Sequence, residues 1–314
     1  MPVQLDEWLG IIGREYLAEY VPGGGGAVRV AVAGEALLPG IRHALGEGAR
    51  RAGLTVLELD AADIKLNMLH SVFFAISRTI DWDGLAQARL EALVADAGYA
   101  WPQPGRRATM AALADFNGIA APLLRRELMR DITSRVWRDS TLAQDFRRAM
   151  VALLAARLAD DEDGLRDAVL DWLRGDLRLL RAVKEAQIGA RIGLHTARAM
   201  LISLCHWLRA CGQQGLAVVL DISRLLRDRR EVAEGITYTP AAVMAAYEVI
   251  RQVIDDTEHF PGLFLAVLAD LRLTDDSVPK RGLAAYDALR LRLSNDVTPQ
   301  ARDNPLAPLV VLAA

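Results

Sequence analysis

The chain is poor in the residues that announce a chemistry. Only two cysteines occur in 314 residues, Cys205 and Cys211. They lie six apart in a stretch with helical spacing and so point to different faces. That excludes a disulfide framework, and neither His206 nor the scattered histidines complete a zinc spacing; free thiols in a reducing compartment and no metal are expected. Lysine is scarce, at three positions against thirty-four arginines. No apolar run approaches the roughly 20 residues needed to cross a bilayer. The start, "MPVQLDEWLG", is acidic and lacks the basic region and apolar core of a secretory leader, so a cytoplasmic protein without membrane association is expected. A formal net charge of −3 gives no global attraction to nucleic acid.

What is present describes an ordered globular protein: 52% hydrophobic and 25% charged residues, in a chain long enough for a sizeable core. Residues 5–20 carry apolar side chains at helical spacing and stop at Pro22 and the tetraglycine 23–26. "AVRVAVAG" (27–34) is a β-branched run closed by glycine, and it reads as a buried parallel strand. A helix over 37–52 with Pro39 and Gly40 in its first turn, then a strand at 54–61, completes a βαβ unit. From about 68 to 210 the periodicity is helical almost throughout, including "GLRDAVLDWLRGDLRLLRAVKEA" (164–186), with breaks at "WPQPG" (101–105) and "DDED" (160–163). Strands return at 215–221 and 262–270, each ending in an acid, on either side of a helix at 240–256. "PLVVLAA" supplies a last strand. Apolar strands separated by helices predict a parallel α/β sheet in which 27–34, 215–221 and 262–270 are neighbours.

The turn after Gly34 has the outline of a phosphate-binding loop without its ligands. Such a loop needs Gly-x-x-x-x-Gly-Lys-[Ser/Thr]: glycines let backbone N–H groups wrap the phosphates, lysine neutralises them and the hydroxyl holds Mg²⁺. Here Pro39, Gly40 and Ile41 occupy the last three places. "GLAVVLDISRLL" (215–226) has the form of the apolar strand whose terminal Asp reaches Mg²⁺ through water, but Ile222 follows Asp221 where a water-activating Glu is expected. Asp270 ends its strand where parallel sheets present ligand-facing residues. Arg281 fits an arginine finger acting across a subunit boundary, or a solvated arginine at a helix start. The arginines at 125–126, 227 and 229–230 alternate with acids, which favours solvated faces over a phosphate-backbone surface.

In this order the pieces resemble the P-loop ATP-binding proteins of BREX-type phage-defence loci, which have an AAA+-like core. The resemblance runs through "EYLAEYVPGGGGAVRVAVAGE", "LTVLELDA", "GLAVVLDISRLL", "YEVIRQVIDDTEHFPGLFLAVLAD" and "RGLAAYDALRLRL" to "NPLAPLVVLAA", and 247–293 is its most diagnostic part. It implies an α/β P-loop NTPase fold: one AAA+-like domain over 1–314, a helical insertion over 68–210, and no C-terminal lid. It also implies that Leu37, Pro39, Gly40 and Ile41 fall where relatives carry Gly, Gly, Lys and Ser or Thr. Gly34, Gly40 and Asp221 then mark a degenerate nucleotide site, Arg281 is a trans-acting candidate, and no catalytic residue remains. The expectation is a pseudo-ATPase without bound ATP or Mg²⁺, working on a protein partner such as an active paralogous ATPase or a neighbouring enzyme, and not on nucleic acid. The alternative is an ATP-binding or ATPase subunit of a defence complex with a non-standard nucleotide site; a DNA-binding module using the arginine clusters is a third.

Overall fold

A computed structural model of the chain describes residues 2–159, 164–277, 280–294 and 304–313. The chain divides into two compact units: a sheet unit made of residues 1–72 and 213–314, and a helical unit of residues 73–212. The expected break at 160–163 lies outside the described residues.

The sheet unit begins with β1 (Val3–Gln4), α1 (Leu5–Ile11) and a π-helical stretch, Ile12–Tyr20. β2 (Ala27–Ala33), α2 (Leu38–Arg51) and β3 (Thr55–Asp60) follow, and α3 (Leu69–Thr79) carries the boundary with the helical unit. The helical unit continues through α4 (Trp82–Asp96), α5 (Met110–Phe116), α6 (Ala121–Ile132), α7 (Gln144–Leu158), α8 (Gly164–Arg174) and α9 (Ala197–Ala210). β4 (Leu216–Asp221), α10 (Pro240–Asp255), β5 (Leu263–Asp270), α11 (Asp287–Leu293) and β6 (Leu309–Ala313) complete the sheet unit.

Among the described residues six strands form one sheet in the order β1-β6-β2-β5-β4-β3. All the pairings are parallel. β2, β5 and β4 are therefore consecutive, as the strand pattern predicts. β4 and β5 are buried at every residue, which is why they read as unbroken apolar runs and not as alternating ones. Ala27, Ala31 and Ala33 of β2 face a core shared with Trp8, Ile12, Leu17, Ile41 and Leu45 from α1, the π-helical stretch and α2. Small residues on the strand let those bulky side chains approach it closely. Val28, Val30 and Val32 are buried on the alternate face. α10 starts where Thr239 accepts a hydrogen bond from the Ala242 amide, with Pro240 in its first turn.

In the helical unit Trp82 packs edge-on to Phe146, ring centroids 6.1 Å apart, and its indole N–H donates to the Ser77 carbonyl at 3.0 Å. The expected continuous helix over 164–186 does not form. α8 stops at Arg174 because Gly175 adopts φ +80°, and the amides of Asp176 and Leu177 turn back to the Asp171 carbonyl at 2.8 and 3.1 Å. A left-handed glycine just past the last turn is a helix terminator that apolar periodicity does not register. Beyond it only a short 3₁₀ turn, Leu180–Val183, precedes α9. Cys205 and Cys211 are free and buried, and burial pushes both thiols up to about 12.

Candidate functional site

Because the strands run parallel, their carboxyl ends share one edge, where open α/β sheets hold ligands. The register aligns Asp60 with Asp221, Asp221 with Leu268, and Ala33 with Asp270. Gly34, directly after β2, therefore stands on the same edge as Asp221 and Asp270, with Asp60 added at the end of β3. Gly40 is exposed in the first turn of α2. At both glycines the position a Cβ would take is open space, and neither has a positive φ, so local backbone geometry demands glycine at neither place.

The first turn of α2 explains how the residues after Gly34 are used. Ile41, in the hydroxyl position, is fully buried in the core cluster. Arg42, one residue on, reaches back over the edge. Its Nη2 donates to Asp221 Oδ2 at 2.7 Å and to Asp60 Oδ2 at 3.5 Å. Asp221 Oδ1 accepts from the Ser223 amide at 2.9 Å, so each of its oxygens takes a hydrogen bond from its own chain. Ile222, in the position expected for a water-activating acid, is also buried.

Asp270 is almost wholly buried. Its Oδ1 accepts from the Arg272 amide at 2.9 Å, its own amide donates to Ser223 Oγ at 3.1 Å, and among the described residues its Oδ2 has no hydrogen-bond partner. The nearest cation, Arg227 Nη2, is 4.0 Å from Oδ2 and is committed to Glu35 at 2.5 Å. Burial holds the Asp270 carboxyl above the usual carboxylate range, while the Arg272 amide and the Arg272 and Arg227 charges pull the other way. The edge is thus a set of acids each facing an arginine of the same chain. Among the described residues no group of three or more His, Cys, Asp or Glu is placed to hold a metal ion.

Arg281 differs from both sequence expectations. It does not start a helix, since it precedes a 3₁₀ turn at Leu283–Ala285 and α11 begins only at Asp287. Nor is it solvated. Its guanidinium is buried, donating to the carbonyls of Leu225 and Tyr238, each at 3.1 Å, and to Asp228 Oδ1 at 3.2 Å. The Tyr247 hydroxyl donates to its carbonyl. A finger acting in trans needs an exposed guanidinium, and this one is turned into its own chain. Arg125, Arg126, Arg229 and Arg230 are exposed.

Sequence reasoning missed Arg42, Asp60, Glu35 and Ser223. The one available signal was an arginine directly after the hydroxyl position, facing a strand that ends in Asp.

The geometry defines an α/β protein with a six-stranded parallel sheet and an acid-lined carboxyl edge. Residues 115–314, more than half of the chain, match the family described as BREX system ATP-binding protein BrxC/D. The chain belongs to that family. The match takes in β4, β5 and β6 and leaves out β2 and the turn from Gly34 to Ile41. Comparison with curated proteins returns no match, and neither does comparison with solved structures. No helix among the described residues is long and apolar enough to cross a membrane.

Proposed function

We propose that this chain is an AAA+-like P-loop family member that no longer binds or hydrolyses nucleotide, and that it serves another protein of a cytoplasmic defence assembly as a scaffold or regulatory partner. The observation that carries the reading is the Arg42 guanidinium on Asp221. In the resemblance, Asp221 is the acid that faces Mg²⁺. A guanidinium 2.7 Å from it competes with a divalent ion for the same carboxylate. Around it the turn offers no lysine, and its hydroxyl position is spent on the core as Ile41. A charge-assisted hydrogen bond to phosphate is worth roughly 1.5–3 kcal/mol. Without two of them, a micromolar site becomes about millimolar or weaker.

Isothermal titration with MgATP tests the reading. Heat corresponding to no site tighter than about 1 mM is expected, with no phosphate release above background. A micromolar, Mg²⁺-dependent site would overturn it. The partner role is tested by adding the chain to a relative with an intact Gly-Lys-Thr loop encoded beside it. A change in that relative's ATP turnover or a stable complex supports the role, and neither a complex nor a change removes it.

A further inference from the structure

The opposite end of β2 holds a second feature that the carboxyl edge does not explain. A cavity of about 430 Å³ opens there, within the range of small-molecule sites. Its walls include Tyr16, Tyr20, Arg29, Ile254, Leu293 and Leu306. β2 is seven residues long, so at about 3.3 Å per residue the cavity lies roughly 20 Å from the turn after Gly34.

Arg29 is the unusual residue. It occupies a central strand on the face that otherwise presents alanines to the core. It is only partly exposed, and among the described residues no carboxylate pairs with it. Nη1 donates to the Val28 carbonyl at 2.7 Å, Nη2 donates to the Tyr16 hydroxyl, and the guanidinium carbon lies 4.4 Å from the centroid of the Tyr16 ring. Among the described residues its Nε, like that of Arg42, is buried without an acceptor. Of the five N–H groups of a guanidinium, three are left without one. With no carboxylate to neutralise this guanidinium, an anion reaching it from the cavity would gain charge-assisted hydrogen bonds to it.

The wall facing it is built with matching specificity. Tyr16 and Tyr20 come from the π-helical stretch, where the amides of Val21 and Gly25 reach back five residues to the carbonyls of Tyr16 and Tyr20. π-Helical geometry is rare and concentrates at functional sites. Here it sets the two rings edge to face, 6.0 Å apart, at the cavity. The tetraglycine then lets the chain turn under Tyr20, since a Cβ on Gly25 would come within 2.4 Å of that ring.

We propose that this cavity is a binding site for a small organic anion, a carboxylate or phosphate ester, whose head completes Arg29 and whose apolar or aromatic body lies along Tyr16, Tyr20, Ile254, Leu293 and Leu306. The head supplies the acceptors that the guanidinium lacks, and the body fills a wall richer in carbon than in polar atoms. The site is separate from the carboxyl edge and does not depend on whether nucleotide binds there.

Titration calorimetry with benzoate, phenyl phosphate, inorganic phosphate and the neutral isostere benzamide tests this. At least one of the two aromatic anions is expected to bind at about 1 mM or tighter, within reach for some ten heavy atoms. Which of them binds more tightly identifies the head group. Inorganic phosphate and benzamide are expected to bind at least roughly tenfold more weakly than the preferred anion, since each lacks one half of the recognition. Arg29→Met should weaken the preferred anion by roughly tenfold or more, and Tyr20→Ala, a change at a half-exposed side chain, should weaken it without affecting the fold. Equal binding of benzamide, unchanged binding by a folded Arg29→Met or Tyr20→Ala protein, or no binding of either aromatic anion to the wild type would each overturn the proposal.

Discussion

The two ends of β2 place the same chemical group in opposite circumstances. At the carboxyl end Arg42 finds Asp221 and Asp60, and at the amino end Arg29 finds a carbonyl, a phenol and a ring but no acid. The first end is where parallel sheets take ligands, and it is closed by residues of its own chain. The second has no such precedent, and it is open. A charge satisfied within the chain is indifferent to what else is present, whereas an unsatisfied one favours any anion that fits. Position in a fold therefore shows where a ligand could sit, but a cation without a carboxylate of its own chain shows where an anion is wanted.

Arg281 provides the scale for this contrast, because all its partners lie inside one unit. Arg281→Leu strands the Leu225 and Tyr238 carbonyls in the core and should lower stability by about 3 kcal/mol, measured by urea denaturation. A decrease below about 1 kcal/mol would mean that internally satisfied arginines are not structural here, and the comparison would lose its reference.

Arg42→Ala should cost less, about 2 kcal/mol, since both partners remain partly solvated and the pair is partly screened. Adding Asp221→Asn to Arg42→Ala should recover part of that stability by removing the carboxylate left without its cation. If Arg42→Ala costs no more than Arg29→Met does in the absence of ligand, the two ends are energetically alike and the contrast fails.

The smallest effect concerns Asp270. Its carboxyl is held above the ordinary range, by burial first, so the folded chain binds that proton more tightly than the unfolded one. The contribution of this group is therefore most favourable below the ordinary carboxylate range and is lost as pH rises through the raised value. Asp270→Asn, which cannot ionise, should gain less than about 1 kcal/mol near pH 7, and the gain should shrink towards pH 4. A destabilisation at neutral pH would show that the ionised carboxylate is held by Arg227 across 4.0 Å, and that the edge is more fully closed than its hydrogen bonds indicate.

Much of the fold was legible because its signals are local. Buried parallel strands announce themselves as apolar runs closed by glycine or aspartate, as at Ala27–Ala33 and Leu216–Asp221. The helix expected beyond Arg174 fails for a local reason too, since Gly175 ends it inside an unbroken apolar period. The charges were not legible. The Asp221 that Arg42 meets lies 179 positions along the chain, and the Leu225 carbonyl that Arg281 Nη1 meets lies 56 away, so strand register, not spacing, decides who meets whom. Arg29 was harder still, because its character lies in a carboxylate partner that the described residues do not provide. From sequence it is one charged residue in "AVRVAVAG", which strand periodicity passes over.

The order of strands also bears on how the protein is made. β2 lies between β5 and β6, and both are encoded more than two hundred residues after it. The βαβ unit that looks complete in sequence therefore leaves the ribosome with its first strand unpaired on either side, because β3 does not neighbour β2 in the sheet. Throughout translation of the helical unit, a β-branched strand waits with open hydrogen-bonding edges, the kind of segment that recruits foreign strands. Pairings this distant also close slowly. In the cell, the yield of this protein should depend on what shelters β2 during that interval more than on the final stability of the sheet.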